Sequence, residues 1–552
     1  MDSLSDTILN RLQEDAERLC RKGETPGAEC ALFTKDRILF SYDYGQINTV
    51  MGIDSTMESR YMIGSCTKMM TAMCCMKLYE ERKLDLYRDI RTYLPEFSVR
   101  TKDVRITVKD LLQHRSGIQG DFFGIPREQG MGAILEALKE TELSYEPGAM
   151  FSYSNAGYAV LGLLIEKLVG CSYESYVNQI LGAPLGIKIH FRKEELSYFS
   201  CAYDKSGREV EDFVSSLAAV SAGTCTYMSM RDFVKFGQVF LNDGAPILRP
   251  ETMALMESLP VRDPLDHKIF NYGFGLTHNQ YCFPRVTVLG HCGDTICHHA
   301  VFQYIPEIGV GAAVMTNSTN GLSLAGKMSL LMLRSALKAA GRTAVIPETG
   351  AKNPAVPVDL LGTFATSMGP LEISLDSRGH FCTSIKGMKI RLCPAGDGWV
   401  HCTPSPLAPC IPLLRRQIER IYLKPGTYME KPVLLAVTRC RDYWNMGLLG
   451  TPYESSPIPA AFYQAQGLYE PADPWIKNRI TVTLRLAEKE EKLLLALDTE
   501  AMKAEFLLKP KDYHRAVIQG CGRYAGEEIT IDSKENTLCY MGITFKHLKI
   551  TK

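Results

Sequence analysis

Ser65, Cys66, Thr67 and Lys68 form an S-x-x-K tetrad, and three-residue spacing at the start of a helix sets the hydroxyl and the amine on one face. A serine hydroxyl is a weak nucleophile until a neighbouring base takes its proton. A lysine in apolar surroundings can be that base, because desolvation lowers its pKa. The run from Ser65 to Arg82 is apolar on nearly every face, which predicts a buried helix whose positive end and Ser65 N–H face the reacting carbonyl. Alone the tetrad is weak, since a chain this long holds about one or two chance matches and Ser65 reads equally as an N-cap. Two further elements follow in order. Tyr153-Ser154-Asn155 sits in YEPGAMFSYSNAGYAVLGLLIE, a loop feeding a helix. The Tyr153 phenol can share proton traffic with Lys68 by ionising or relaying, and the Asn155 amide can donate to a substrate carbonyl. His291-Cys292-Gly293 lies in VTVLGHCGDT, at a strand edge onto which a substrate can add its own backbone. There Gly293 keeps the approach open and the Asp294 N–H can complete an oxyanion hole.

With their flanks, these elements resemble the superfamily of penicillin-binding proteins and class C β-lactamases over about residues 25 to 335. TPGAECALFTKD resembles its opening hairpin and ITVKDLLQHRSGI the segment after the nucleophile helix. SAGTCTYMSMRDFVKFGQ resembles the late glycine turn and helix, and GHCGDTICHHAVFQYIPEIGVGAAVMTN the third motif with its strands. The resemblance implies Ser65 as nucleophile, Lys68 as base, Tyr153 as proton relay, Asn155 for carbonyl recognition, and His291 and Gly293 for the substrate edge. Many β-lactamases and DD-peptidases of the superfamily carry lysine where this chain has His291. A neutral or partly charged imidazole holds a carboxylate less firmly, and the His-x-Gly form is similar to that of D-aminopeptidases, related amidases and some carboxylesterases. The expected reaction is amide or peptide hydrolysis through a Ser65 acyl-enzyme, with Tyr153 and Lys68 activating the deacylating water. Ester hydrolysis or weak β-lactam hydrolysis at the same site is the alternative. A protein of another class, a scaffold or an acyl sensor that barely turns over, would retain the same side chains.

These residues need elements to hold them. An amphipathic helix is expected over Leu4 to Arg21, then a hairpin within residues 27–45 turning at Lys35-Asp36, with helical periodicity over Val108 to Gln113, Gly157 to Val169 and Met230 to Leu241. These elements point to an α/β (α+β) class over residues 1–340, and the resemblance implies that it is a β-lactamase/transpeptidase-like domain with an antiparallel sheet flanked by helices. Residues 341–357, rich in Gly, Pro and small side chains, read as a linker. Beyond it, period-two alternation in LEISLDSRGHFCTSIKG and ITVTLRLAEKEEKLLLAL predicts strands. Gly362-Thr363-Phe364 and Gly467-Leu468-Tyr469 suggest a repeat of about 105 residues, which favours two small β-barrels over 358–460 and 461–552, with one larger β-domain as the alternative. In D-aminopeptidases such an appendage sends a loop to the active site; no motif marks that loop here.

Lys plus Arg equals Asp plus Glu at 62 each, so no global field draws nucleic acid or anionic lipid. Apolar residues at 45% and charged residues at 22% are ordinary for a globular protein. The first twenty residues lack the apolar core of a signal peptide and no apolar run is long enough to span a bilayer. The expectation is a cytoplasmic protein with no membrane partner. Its 18 cysteines are then reduced thiols, with Cys66 and Cys292 beside the motifs open to oxidation only if exposed. No cofactor and no metal are expected, since adjacent His298 and His299 point to opposite sides of a strand. The expected partner is a small-molecule or short-peptide substrate, with self-association into a homo-oligomer left open.

Overall fold

The computed structural model describes residues 4–548, apart from 197, 219–220, 260–270, 280, 343–355, 368, 386, 406–411, 441–442, 488–491 and 500–502. The hairpin forms as Gly27–Phe33 and Ile38–Asn48, turning through Lys35 and Asp36. Every residue of Gly27–Phe33 is buried, because the strand lies inside an eight-stranded antiparallel sheet. From edge to edge the sheet runs Ile53–Asp54, Ile38–Asn48, Gly27–Phe33, Val310–Thr316, His299–Ile305, Leu289–Asp294, Thr277–His278 and Asn271–Tyr272. The chain thus closes its sheet by pairing its beginning with a strand about 280 residues later, in the register Cys30↔Val314.

Helices cover both faces. On one, Asp6–Gly23 and Gly321–Ala339 pack together through Leu12, Ala16, Leu324 and Met328. On the other, Thr67–Glu80, Asn155–Val169 and Met230–Leu241 share one large apolar cluster. Thr67–Glu80 is buried from Thr67 through Met76, which accounts for its lack of a polar stripe. Ser65 itself lies in a single 3-10 turn, Gly64–Cys66, ahead of the α-helix, so the tetrad straddles the junction. No single helix among the described residues is long and apolar enough to cross a membrane.

The β-rich region is two closed eight-stranded barrels. The first runs from Gly362–Thr366 to Trp444–Pro452 and the second from Gly467–Pro471 to Ile543–His547. Each opens on its Gly-x-aromatic element, and both aromatics, Phe364 and Tyr469, are buried in their barrels. Of the expected linker 341–357, residues 343–355 lie outside the described residues. The first barrel meets the N-terminal domain through the bridge Cys282↔Trp444. The second shares a core with the N-terminal domain, in which Phe213, Leu217 and Ile296 pack with Ile480, Leu497 and Tyr524. The contact is close: a Cβ on Gly124 would lie 2.0 Å from the Gly542 carbonyl oxygen.

Candidate active site

The Gly64–Cys66 turn presents Ser65 beside the edge of Leu289–Asp294. A Cβ on Gly293 would sit 1.8 Å from the Ile63 carbonyl oxygen and 2.9 Å from the Ser65 nitrogen, and one on Gly64 would sit 2.9 Å from the Asp294 nitrogen. Two bare glycines therefore let the nucleophile turn and the strand come together, with the Ser65 and Asp294 backbone nitrogens on neighbouring segments. Only Leu289 and Gly290 pair with the outer strand Thr277–His278. Residues 291–294 have no ladder partner on that side among the described residues, which leaves an open edge.

Lys68 is wholly buried. Its Nζ lies 3.2 Å from Ser65 Oγ, 2.6 Å from Asn155 Oδ1 and 3.0 Å from the Gly223 carbonyl oxygen. Burial pulls the ammonium well below the ordinary lysine range; the Arg523 guanidinium reinforces this and Asp121 opposes it. A neutral amine has two hydrogens and one lone pair. Asn155 Oδ1 and the Gly223 carbonyl are fixed acceptors for the two hydrogens, so the lone pair is left to face Ser65 Oγ.

Tyr153 lies over Lys68, with Nζ 4.8 Å from the ring centroid. Burial raises the phenol's pKa, only partly offset by its hydrogen bond with Ser65, so the neutral phenol is the form present and ionisation is disfavoured. His114 stacks on Tyr153 at 4.2 Å and accepts the Ser154 N–H at Nδ1. Burial keeps His114 neutral, well below the usual histidine range. His291 is 3% exposed and turned inward. Its Nδ1 lies 2.5 Å from the Cys292 carbonyl oxygen, which can only accept, so Nδ1 carries the hydrogen and Nε2 accepts from the Tyr272 hydroxyl at 2.9 Å. Burial and the charge of Lys68 pull His291 down to about 3. The imidazole is neutral and both its nitrogens are engaged within the protein. Cys66 is buried with its thiol against the His291 carbonyl, and burial pushes its pKa well up, which makes it packing rather than a reactive thiolate.

A cavity of about 460 Å³ opens above Ser65, Asn155 and Thr224. Phe123, Phe213 and Ile296 give it apolar walls, and the exposed Asp294 carboxylate lies at its side, paired with His299 at 3.0 Å. His298 takes the other direction, toward Asp212 at 3.3 Å. The roof comes from the second barrel: Arg479 from the turn ahead of a strand, Ile480, Leu497 and Thr499 from two strands, with Arg523 and Tyr524 from the loop 519–527. This is the barrel loop that no sequence motif marked. Glu527 of the loop accepts the Gly120 N–H, Tyr145 donates to the Gly520 carbonyl, and Arg523 pairs with Asp121 at 2.6 Å.

Ser65, Lys68, Tyr153 and Asn155 are thus gathered in one place, and Gly293 and Asp294 bound it. His291 adjoins it without lining the cavity. Asn155 has both ends engaged, since its Nδ2 donates to Asp121 Oδ1 at 2.6 Å. Sequence reasoning passed over Asp121, His114, Tyr272 and Arg523. The first two lie in and just after the HRSGI segment, where a buried acid is a legible signal, whereas Arg523 sits in a loop without any pattern.

A sequence model of the beta-lactamase family matches residues 10–336. Penicillin-binding protein 4 of Amycolatopsis lactamdurans is 30% identical over 325 residues, 55% of this chain and 84% of that protein. Among solved structures, a D-amino acid amidase from Ochrobactrum anthropi SV3 aligns with 60% of this chain and 99% of its own, at 20% identity and a TM-score of 0.52. An octameric penicillin-binding protein homologue from Pyrococcus abyssi aligns with 98% of this chain and 100% of its own, at 19% identity and a TM-score of 0.50. Those two likenesses concern the fold. The family match spans more than half the chain and covers every motif of the site, and the chain belongs to the beta-lactamase family of serine hydrolases and penicillin-binding proteins.

Proposed function

We propose that the protein hydrolyses an amide or peptide bond of a small amino-acid derivative through a Ser65 acyl-enzyme. The observation that carries this reading is the aim of the buried Lys68 amine at Ser65 Oγ, its hydrogens held by Asn155 and Gly223. In the first half-reaction Lys68 takes the Ser65 proton as Oγ attacks the carbonyl, and the Ser65 and Asp294 N–H groups stabilise the oxyanion. Tyr153, kept as a neutral phenol, passes its proton to the leaving amine and is reprotonated by the proton Lys68 took from Ser65, which returns both groups to their starting forms. In the second, Lys68, with Tyr153 relaying, takes a proton from the attacking water and returns it to Ser65 Oγ as the acyl group departs.

The pocket favours amides of amino acids over β-lactams. His291 is uncharged and does not line the cavity, so no cation stands at that position to hold a lactam carboxylate. The exposed Asp294 carboxylate is instead an acceptor for a substrate ammonium, and Phe123, Phe213 and Ile296 suit an apolar side chain. Preference for the D-configuration is part of the proposal by likeness to the D-amino acid amidase. Ester hydrolysis is the second reading, because an ester leaving group needs less protonation than an amine.

Intact-protein mass spectrometry with a fluorophosphonate, beside turnover of D- and L-aminoacyl amides, p-nitrophenyl esters and nitrocefin, tests this. Single labelling and turnover that vanish in Ser65→Ala support it, and the best substrate sets the subclass. Full turnover by Ser65→Ala would remove the nucleophile; stoichiometric labelling by substrate without turnover would favour an acyl sensor. Self-association, as in the octameric Pyrococcus abyssi homologue, is read by light scattering on the same samples.

A further inference from the structure

We propose that Arg523, from the second barrel, is a positioning residue for the Ser65–Lys68 pair, acting through Asp121 and Asn155. This inference rests on the reading of Lys68 as the base that activates Ser65. Four side chains form a chain of contacts that crosses from barrel to nucleophile. Arg523 Nη2 donates to Asp121 Oδ2 at 2.6 Å, Asn155 Nδ2 donates to Asp121 Oδ1 at 2.6 Å, and Lys68 Nζ donates to Asn155 Oδ1 at 2.6 Å.

The chemistry of these groups fixes its direction. A carboxylate only accepts, so Asp121 forces the amide nitrogen of Asn155 toward itself and turns Oδ1 to Lys68. Were the amide to flip, it would offer N–H groups to Lys68 and the lone pair would lose its aim at Ser65. Asp121 is 1% exposed, and a buried carboxylate is costly to keep ionised unless an opposite charge pairs with it. Arg523 is the only cation bonded to it among the described residues. The catalytic domain therefore holds the nucleophile and base, while the barrel supplies the charge that sets their geometry.

Arg523 also acts on Lys68 through space. The titratable groups facing Lys68 are Cys66, Cys225, Tyr153, Tyr158, His114, His291, Asp121 and Arg523. Burial raises the pKa of the cysteines and tyrosines and keeps both histidines neutral. The fixed charges bearing on Lys68 are then Arg523 and Asp121, which push it in opposite directions.

The test is the pH dependence of fluorophosphonate labelling at Ser65 in the full chain, a readout that needs no known substrate. Labelling rises with pH as Lys68 loses its proton. Arg523→Gln should move that limb to higher pH and Asp121→Asn to lower pH, each by about half a unit to one unit, with the plateau rate reduced roughly tenfold or more as Asn155 loses its orientation. Arg523→Lys, which keeps the charge, should retain the wild-type limb. Lys511→Gln breaks an ion pair with Glu142 elsewhere in the same interface and should leave the limb in place. Glu527 of the loop 519–527, which accepts the Gly120 N–H, is common to all these proteins. Limbs that coincide, or that move together in both variants, overturn the relay and reduce the pair to a tether between domains. A wild-type chain that is not labelled at Ser65 overturns instead the reading on which the relay rests.

Discussion

At the scale of single residues, proton traffic divides between two side chains. Lys68, buried and held below the usual lysine range, is the proposed base for attack. Lys68→Met should lower kcat/KM for every substrate by about 10³-fold, and in the wild type the acidic limb should fall well below pH 10.5. The sign follows from the base having to be neutral: activity rises with pH through the lysine's depressed pKa. Tyr153 is held protonated, so its proposed task is to donate to the leaving group. Tyr153→Phe should therefore cost an amide roughly 10² or more in kcat, yet an activated p-nitrophenyl ester about tenfold or less, a difference read by steady-state assays on matched substrates. Equal losses on both would place Tyr153 in the attack step. The tetrad, Tyr153 and Asn155 were legible from residue type, spacing and order. The inward turn of His291 was not, because a motif marks a backbone position, and only packing against Tyr272 decides which way a ring points.

Elements position those groups through contacts that tolerate little change. The meeting of the Gly64–Cys66 turn with the strand Leu289–Asp294 leaves no room for a Cβ at Gly293. Gly293→Ala should abolish labelling of Ser65 by more than about 10²-fold, with circular dichroism unchanged, because the displaced group is the oxyanion-binding backbone. The loop 519–527 is a second such element. Glu527 is 1% exposed, and burial pushes its carboxyl up to about 7, with Asp121 adding to the rise. Its folded pKa lies above its unfolded value, so its contribution to stability is complete below about 4.5 and is lost as pH rises through about 7. Glu527→Gln should remove that slope, and thermal melts of the two proteins from pH 4.5 to 8 compare them. Periodicity foretold the hairpin, the buried nucleophile helix and the barrel strands. The loop eluded it, since residues such as Gly520, Gly522 and Arg523 carry no period and take their shape from the surface they meet.

On the scale of the whole molecule, the spacing of the two Gly-x-aromatic elements disclosed the paired barrels, whereas nothing in sequence pattern told that the second would complete a pocket. That docking depends on Phe213, Leu217 and Ile296 finding apolar partners hundreds of residues away, a tertiary match without a local signature. Because this core is shared, Phe213→Ala should destabilise by about 3 kcal/mol. Hydrogen exchange should show the slowest amides of the second barrel and of the adjoining catalytic segments accelerating together; acceleration confined to one side would separate them into independent folding units. The Gly124–Gly542 contact bears on how such an architecture can be recombined. Backbone meets backbone there, with no side chain to be trimmed or repacked, so a barrel grafted from a relative must reproduce a main-chain path to within a fraction of an ångström. A chimera with a different loop at 541–543 should lower the melting temperature of both halves together, read by thermal melts beside the parent chain. The appendage, though a separate barrel in topology, is fitted to its catalytic domain as one matched pair.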